Sequence, residues 1–214
     1  MQIAILLFDR FTSLDAVGPY EILHRVPGAE TVFVAEHAGP VHDESRALSL
    51  GAARTLSEVT APDVLVVPGG PGQSAQMTNE PLLDWLRTVD AATTWTTSVC
   101  TGSLLLAAAG LLTGRRATSH WLALDTLRGY GAEPAGERVV TDGKYVTAAG
   151  VSAGIDMGLT LAGSLVDDRF AQSVQLMTEY DPQPPYDAGS PAKAPADLVE
   201  KARGRSRFTA RQAR

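Results

Sequence analysis

Short apolar runs that alternate with helical segments constrain the fold of this chain more than any other feature. Residues 2–8 and 63–68 are such runs, and each ends in a loop that leads toward a segment with apolar residues at helical spacing. A strand that is apolar on both faces is typical of a parallel sheet covered by helices. The pattern therefore predicts an α/β fold with a mostly parallel sheet and helices on both faces.

The rest of the chain continues this alternation. Further strands are predicted at residues 31–36, 93–99, 117–119, 138–141 and 145–148, and a small hairpin at 42–50. Helices are predicted at residues 15–24, 81–89, 101–109, 121–129, 152–165, 170–178 and 196–203. Ligands of such folds bind at the carboxyl ends of the strands. We therefore expect the site where the loops after residues 8, 68 and 99 meet.

No repeat or linker divides residues 1–180, which predicts a single domain there. The prolines of residues 181–186 exclude a helix or central strand there, and residues 181–214 are predicted to be a Pro-rich and then basic extension, partly disordered. The segment from Lys193 onward has a net charge of +5, which leaves −11 on the rest of a chain with −6 in total. The acidic body argues against a nucleic-acid surface. The basic tail is either solvated or binds an anionic partner.

Targeting features are missing from the sequence as given. The first residues lack a basic region, their apolar run is cut by Asp9, and no window approaches eighteen apolar residues. One cysteine permits no internal disulfide, which agrees with a reducing compartment. These observations predict a cytoplasmic protein without membrane spans.

The only cysteine, Cys100, lies between a polar strand segment and an apolar helical one. Unpaired N–H groups at the start of a helix favour an anion, which predicts a lowered thiol pKa. The segment Ser98–Gly102 also resembles the G-x-S-x-G nucleophile elbow, with cysteine as the nucleophile. The alternative is a small buried apolar side chain.

Asp15 falls where the first helix is predicted to begin. It is either an N-cap or a carboxyl group that faces the thiol from a neighbouring strand end. A carboxyl beside a thiolate has a raised pKa and can serve as a general acid. Glu21 follows six residues later, about 120° further around the helix, so both carboxylates cannot point at one atom. We expect Glu21 at the surface or at an interface.

The glycine loop after residue 68, with Gly69, Gly70 and Gly72, is expected to supply backbone N–H groups beside the nucleophile. Residues 70–75 also fit the dinucleotide pattern G-x-G-x-x-A. That pattern follows a middle strand, however, and no acidic residue for a ribose ends the next one. No cofactor is predicted.

A second nucleophile candidate, Ser152, lies in the G-x-S-x-G match at residues 150–154. A hydrolase of that type needs a histidine after the serine, and all four histidines precede it, so Ser152 is predicted to be an N-cap. His120 follows the strand predicted at 117–119, which should neighbour the Cys100 strand. His120 either pairs with the thiolate or bonds to backbone. The other histidines lack ligand spacing, and no metal site is predicted.

Five segments in order resemble the DJ-1/PfpI superfamily, and within it the isonitrile (isocyanide) hydratase branch. They are residues 11–21, 67–70, 98–102, 117–121 and 149–156. The resemblance implies a flavodoxin-like α/β/α sandwich and a homodimer. It also implies Cys100 as nucleophile, Asp15 as the facing acid, and Thr101 where protease-like relatives have histidine.

The resemblance further implies an enzyme, a hydro-lyase that adds water to a small-molecule isocyanide through a Cys100 thioimidate and gives an N-substituted formamide without a cofactor. The alternatives are a DJ-1-like redox or stress-response protein and a glyoxalase-like enzyme using the same cysteine. Regulators with the same elbow carry a helix-turn-helix domain, for which the residues after Tyr180 are too few.

Overall fold

The computed structural model describes residues 1–208, and most of its strands form one sheet. The strands are β1 (Gln2–Leu6), β2 (Glu30–Ala35), β3 (Gly39–His42), β4 (Ser49–Ala52), β5 (Arg54–Thr55), β6 (Val64–Val67), β7 (Trp95–Val99), β8 (Arg116–Ala117), β9 (Glu133–Pro134), β10 (Val139–Asp142) and β11 (Tyr145–Ala148). The α-helices are α1 (Ser13–Leu23), α2 (Gln73–Gln76), α3 (Glu80–Asp90), α4 (Gly102–Ala108), α5 (Leu124–Gly129), α6 (Ala153–Leu165), α7 (Asp168–Met177) and α8 (Ala196–Gly204).

The main sheet has seven strands in the order β10-β11-β7-β6-β1-β2-β5. All neighbours are parallel except β10, which pairs antiparallel with β11. Helices α1 and α6 pack together against one face, while α3 and α4 pack on the other. The predicted α/β sandwich with a mostly parallel sheet is confirmed.

Burial explains why the apolar runs form the centre of the sheet. Every residue of β6 is buried, as are all of β1 except Gln2. Helix α3 buries Leu82, Leu83, Leu86 and Val89, which have the spacing of one helical face. The two central strands therefore hold their carboxyl ends rigidly at one edge of the molecule.

Small residues let α6 lie close to α1. A Cβ atom on Gly158 would lie 3.0 Å from Cβ of Ile22, and one on Gly154 would lie 3.1 Å from both Pro19 and Val99. Such contacts are tighter than ordinary van der Waals packing, so larger residues would push the helices apart. Close packing fixes the start of α1, where Asp15 lies.

The predicted position of residues 117–119 is wrong. Strand β8 pairs with β9 in a separate two-stranded sheet, and the neighbour of β7 is β11. The four residues of β11 are all buried, so they occupy the inner position that β8 would need. The N–H of Thr118 instead donates to Oγ1 of Thr147 in β11, at 2.8 Å.

The predicted small hairpin is present as β3 and β4. In the predicted extension, α8 forms where the sequence predicted a helix, and the chain then turns back toward the carboxyl ends of the central strands. The domain boundary at residue 180 stays a prediction, and residues 209–214 of the predicted disordered tail lie outside the described residues. Over residues 1–208, no helix is both long and apolar enough to cross a membrane.

Candidate active site

Cys100 occupies a sharp turn between β7 and α4. Its φ is +57°, a left-handed conformation that few non-glycine residues adopt. Its N–H donates to the carbonyls of Ala148 and Ala149, each at 3.0 Å, and its carbonyl accepts hydrogen bonds from the hydroxyls of Ser103 and Ser119. The neighbouring strand and the start of the helix thus hold the strained turn in place.

Asp15 lies in the first turn of α1 with none of its surface exposed. The N-cap of this helix is Thr12, so the N-cap interpretation of Asp15 is wrong. Its Oδ2 accepts a 2.9 Å hydrogen bond from the N–H of Gly69. Its buried Oδ1 has no hydrogen-bond partner in the described part of the chain, and the Cys100 thiol lies close enough to the carboxyl to lower its pKa.

Burial dominates the titration of both groups. It raises the pKa of Asp15 to about 7, against the opposing hydrogen bonds of Gly69 and Cys100. The pKa of Cys100 is raised to about 12, mainly by burial and secondly by the charge of Asp15. Hydrogen bonds from Val151 and Thr101 act in the opposite direction and lower it. The predicted lowering of the thiol pKa is therefore wrong. Only 5% of Cys100 is exposed, so lost hydration outweighs the donors at the helix start.

The glycine loop between β6 and α2 donates backbone hydrogen bonds to Asp15 and to Thr101. Gly69 donates to Asp15, while the N–H of Gly70 donates to Oγ1 of Thr101 at 3.1 Å. Both N–H groups therefore have protein partners and do not form an open oxyanion hole. A Cβ on Gly69 would lie 2.5 Å from the N and Oγ1 atoms of Thr101, so this close approach requires glycine.

Gly72 and Gly70 fix the loop from its other side. A Cβ on Gly72 would collide with the carbonyl oxygen of Asp9, and Gly70 has a φ of +131°. The N–H of Gly72 donates to the carbonyl of Arg10. These residues hold the loop against the chain that leads into α1. They shape the site through backbone packing.

Thr101 connects the glycine loop to the thiol. It is buried, and its hydroxyl accepts from Gly70 and forms a hydrogen bond with the Cys100 side chain. This hydroxyl and the backbone N–H groups of Thr101 and Val151 favour negative charge on the sulfur. The backbone N–H groups beside the sulfur therefore come from Thr101 and Val151, and not from the glycine loop as the sequence predicted.

His120 borders the site without pairing with the thiol. Its Nδ1 accepts the N–H of Leu122 at 3.3 Å, and within residues 1–208 no hydrogen bond joins it to Cys100 or Asp15. Burial, and next the charge of Arg207, lower the pKa of His120. The ring is therefore neutral near pH 7 and fits the backbone-bonded interpretation.

The remaining candidates lie away from the reaction centre. Glu21 is exposed and forms an ion pair with Arg25, in agreement with a surface role. Ser152 occupies the N-cap position of α6, but its side chain makes no capping bond and instead accepts from Arg138. No group of three metal-ligating side chains occurs in the part of the chain that the structure describes.

An open cavity of about 280 Å³ leads to Cys100. Besides Cys100, its lining consists of Thr12, Glu44, Gly70, Pro71, Thr101, His120, Leu122, Val151, Ser206, Arg207 and Phe208. Sequence reasoning missed Val151, Arg207 and Phe208. Val151 lies inside the G-x-S-x-G match around Ser152, which could have drawn attention to it, and its φ is +34°. Nothing in the sequence except basic charge indicated that Arg207 and Phe208 would line the cavity.

Comparison with known proteins places these features in context. The family model described as DJ-1/PfpI matches residues 1–163. An isonitrile hydratase of Pseudomonas putida is 46% identical over 206 residues, which cover 96% of this chain and 90% of that protein. The crystal structure of a ThiJ/PfpI family protein from Pseudomonas syringae has a TM-score of 0.92 and 40% identity, covering 95% of this chain and 84% of that one. The deglycase PfpI of Pyrococcus furiosus is 29% identical over 150 residues, covering 69% of this chain and 89% of that protein.

Proposed function

This chain belongs to the DJ-1/PfpI family, and on that premise we propose that it is an isonitrile hydratase, an enzyme that adds water to the terminal carbon of an isocyanide. The observation that carries the proposal is the proximity of Cys100 to the fully buried Asp15, whose Oδ1 has no hydrogen-bond partner in the described residues. An isocyanide carbon must gain a nucleophile and then a proton, and this pair can supply both.

The first half of the reaction attaches the isocyanide to sulfur. The Asp15 carboxylate takes the thiol proton as Sγ of Cys100 bonds to the terminal carbon. The same proton then passes from Asp15 to that carbon, which gives the thioimidate R–N=CH–S–Cys100. Because the thiol pKa is raised to about 12, the thiol is activated by proton transfer to Asp15 as it attacks.

The second half releases the product. The Asp15 carboxylate accepts a proton from water as the water oxygen adds to the thioimidate carbon, and Asp15 then passes this proton to the nitrogen. The C–S bond breaks as the new hydroxyl becomes a carbonyl, the hydroxyl proton passes through the Asp15 carboxylate to Sγ, and the product is the formamide R–NH–CHO. The sum is one isocyanide plus one water, and the residues end as they began.

Thr101 and Val151 support the sulfur through both halves. Their N–H groups and the Thr101 hydroxyl favour negative charge on Sγ, which develops as the proton leaves and again as the C–S bond breaks. The hydrogen bond from Gly69 holds one oxygen of Asp15, and the other has no hydrogen-bond partner within residues 1–208, so it can exchange a proton with the sulfur. Together these contacts keep the acid and the nucleophile in one arrangement.

Formamide production tests the proposal. Wild-type protein incubated with an alkyl isocyanide should form the N-alkylformamide, detected by NMR, whereas Cys100→Ala should form none above background. Because Cys100 is the only cysteine, intact-mass spectra also report the thioimidate adduct directly. Equal formamide yields from the wild type and Cys100→Ala would refute the function.

Peroxide treatment and a methylglyoxal assay of the same protein sample distinguish the redox and glyoxalase-like alternatives from the hydratase. A redox sensor needs a thiolate that peroxide can reach, but Cys100 is only 5% exposed and its pKa is raised. Mild peroxide should therefore leave Cys100 unoxidised, as read from the mass of the peptide that contains it, while isocyanide is turned over. Loss of methylglyoxal without isocyanide turnover would favour the glyoxalase-like function instead.

We also propose, from the family resemblance, a homodimer in the cytoplasm. Two adjacent apolar side chains at the end of α7, Leu176 and Met177, are 77% and 74% exposed. Apolar side chains so exposed are suited to contact with a second chain. Light scattering at several protein concentrations tests the assembly, and a purely monomeric mass would exclude it.

A further inference from the structure

The chain returns to the active site after α8, where Arg207 fastens it to the glycine loop. The guanidinium of Arg207 donates to the carbonyls of Gly70 at 3.0 Å and Pro71 at 2.6 Å, and to Oε1 of Gln73 at 3.2 Å. Only the planar fork of arginine matches several acceptors in this way. The loop it grips is the one that donates to Asp15 and Thr101.

Phe208 follows directly and forms part of the cavity wall. Its ring lies 4.8 Å from the Arg207 guanidinium and packs, half-buried, against the hydrophobic core. Its N–H donates to Oγ of Ser206 at 3.1 Å. Both Arg207 and Phe208 line the same cavity as Cys100. A second attachment lies upstream, where the guanidinium of Arg203 is 5.9 Å from the ring of Trp121.

The position of this wall has a direct consequence for any substrate of Cys100. The reacting carbon must reach Sγ, so the part of the molecule next to that carbon has to lie within the open cavity of about 280 Å³. Leu122, Val151 and Phe208 give that space an apolar lining. Of these three, Phe208 belongs to the terminal segment rather than to the domain body.

We propose that Phe208 is a specificity-determining wall that limits the size of the substrate's R group, and that Arg207 is the positioning residue that fastens this wall to the glycine loop. The inference rests on the proposed hydratase function for the identity of the substrate. It assigns apolar isocyanides with small R groups as the preferred class. A hydrophobic pocket discriminates by size at roughly 10- to 200-fold per methylene-sized change.

Substrate pairs test the wall. The ratio of kcat/KM for cyclohexyl isocyanide to that for ethyl isocyanide should rise about tenfold in Phe208→Ala. Arg207→Lys, which keeps the charge but loses the fork, should shift the ratio in the same direction. Arg205→Ala is the matched control, because Arg205 is exposed and its side chain forms no hydrogen bond within residues 1–208. It should leave the ratio unchanged.

A purely structural role would give a different result. In that case Phe208→Ala would lower Tm and change kcat/KM for both isocyanides by the same factor. An unchanged ratio in Phe208→Ala therefore overturns the proposal, whatever happens to Tm. An unchanged ratio in Arg207→Lys, with an altered one in Phe208→Ala, would overturn the role of Arg207 alone.

Alkylation of Cys100 separates this inference from the proposed function. The rates of modification by iodoacetamide and by the bulkier 2-iodo-N-phenylacetamide are followed by intact mass at alkaline pH, because the thiolate is the form that reacts and the pKa of Cys100 is raised. The ratio of the modification rate with the bulky reagent to that with the small one should rise about tenfold in Phe208→Ala and stay unchanged in Arg205→Ala. If the wild type does not turn over isocyanide, the proposed function is refuted, but the ratio of alkylation rates still tests whether Phe208 limits access by size. An unchanged alkylation ratio in Phe208→Ala overturns the wall itself.

Discussion

The backbone N–H of Gly69 holds one oxygen of Asp15 at 2.9 Å, and the other oxygen of this carboxyl, which neighbours the Cys100 thiol, is buried without a hydrogen-bond partner in the described residues. One backbone contact therefore orients the group that carries the proton in the proposed reaction. Burial keeps that carboxyl's pKa at about 7, where it can both accept and return a proton near neutral pH.

Activity should depend on the ionisation of Asp15. The carboxylate must accept the thiol proton, so kcat/KM for an alkyl isocyanide should rise as the pH increases through about 7 and level off above it. The nearby charge of Glu44 contributes to the raised pKa of Asp15, so Glu44→Gln should move the rising limb to lower pH. A flat wild-type profile between about pH 5 and 9 would contradict the role of Asp15.

Asp15 should destabilise the folded state at neutral pH. Its pKa is about 7 in the folded protein and 3.8 when unperturbed, so the folded state binds more protons between these values. Stability from this group is therefore lost as the pH rises from about 4 to about 7, by at most about 4 kcal/mol. Asp15→Asn should remove the loss. In urea unfolding, the free energy of unfolding of Asp15→Asn minus that of the wild type should be larger at about pH 8 than at about pH 5. The same difference at both pH values would refute this.

Thr101→Val should damage activity and stability together. The change keeps the shape but removes the acceptor of the Gly70 N–H, and an unpartnered buried donor costs about 1–3 kcal/mol. It also removes the hydroxyl that faces the sulfur, so kcat/KM should fall by about 10- to 100-fold. Thr101→Ser keeps the oxygen and should retain most of both. Similar losses in the two variants would show that the methyl group, not the hydroxyl, matters.

Gly72→Ala should disturb the loop that serves the acid. Its Cβ would collide with the carbonyl oxygen of Asp9, so the backbone must shift at a cost of about 1–3 kcal/mol. Gly129→Ala is the control, because its Cβ would meet nothing within 4 Å. Thermal unfolding should show a lower Tm for the first variant and no loss for the second. A Tm for Gly72→Ala equal to the wild type's would contradict the tight approach.

Local patterns were enough to predict the sheet, the strand–turn–helix around Cys100 and the meeting of its loop with that of Asp15. Each depends on apolar spacing or on the rule that parallel strands end at one edge. The thiol pKa could not be predicted in this way. The sequence indicates donors at a helix start, but the burial that outweighs them arises from packing across the whole fold.

Long-range contacts account for the other failures. Whether β8 or β11 lies beside β7 depends on the competition between two short segments for one inner position, and only burial decides it. The bond from Arg207 to the carbonyl of Gly70 joins residues 137 positions apart. Two of the three acceptors of Arg207 are backbone carbonyls, which leave no mark in the side-chain pattern.

The left-handed turn at Cys100 also bears on how such a chain can evolve. A cysteine at a φ of +57° costs on the order of 1 kcal/mol that glycine or asparagine would avoid. A descendant released from selection for chemistry would thus lose this backbone strain by exchanging its nucleophile for either residue. The backbone itself gives no reason to keep cysteine, so a retained cysteine at this turn in a homologue is a sign of continuing selection for a reactive thiol.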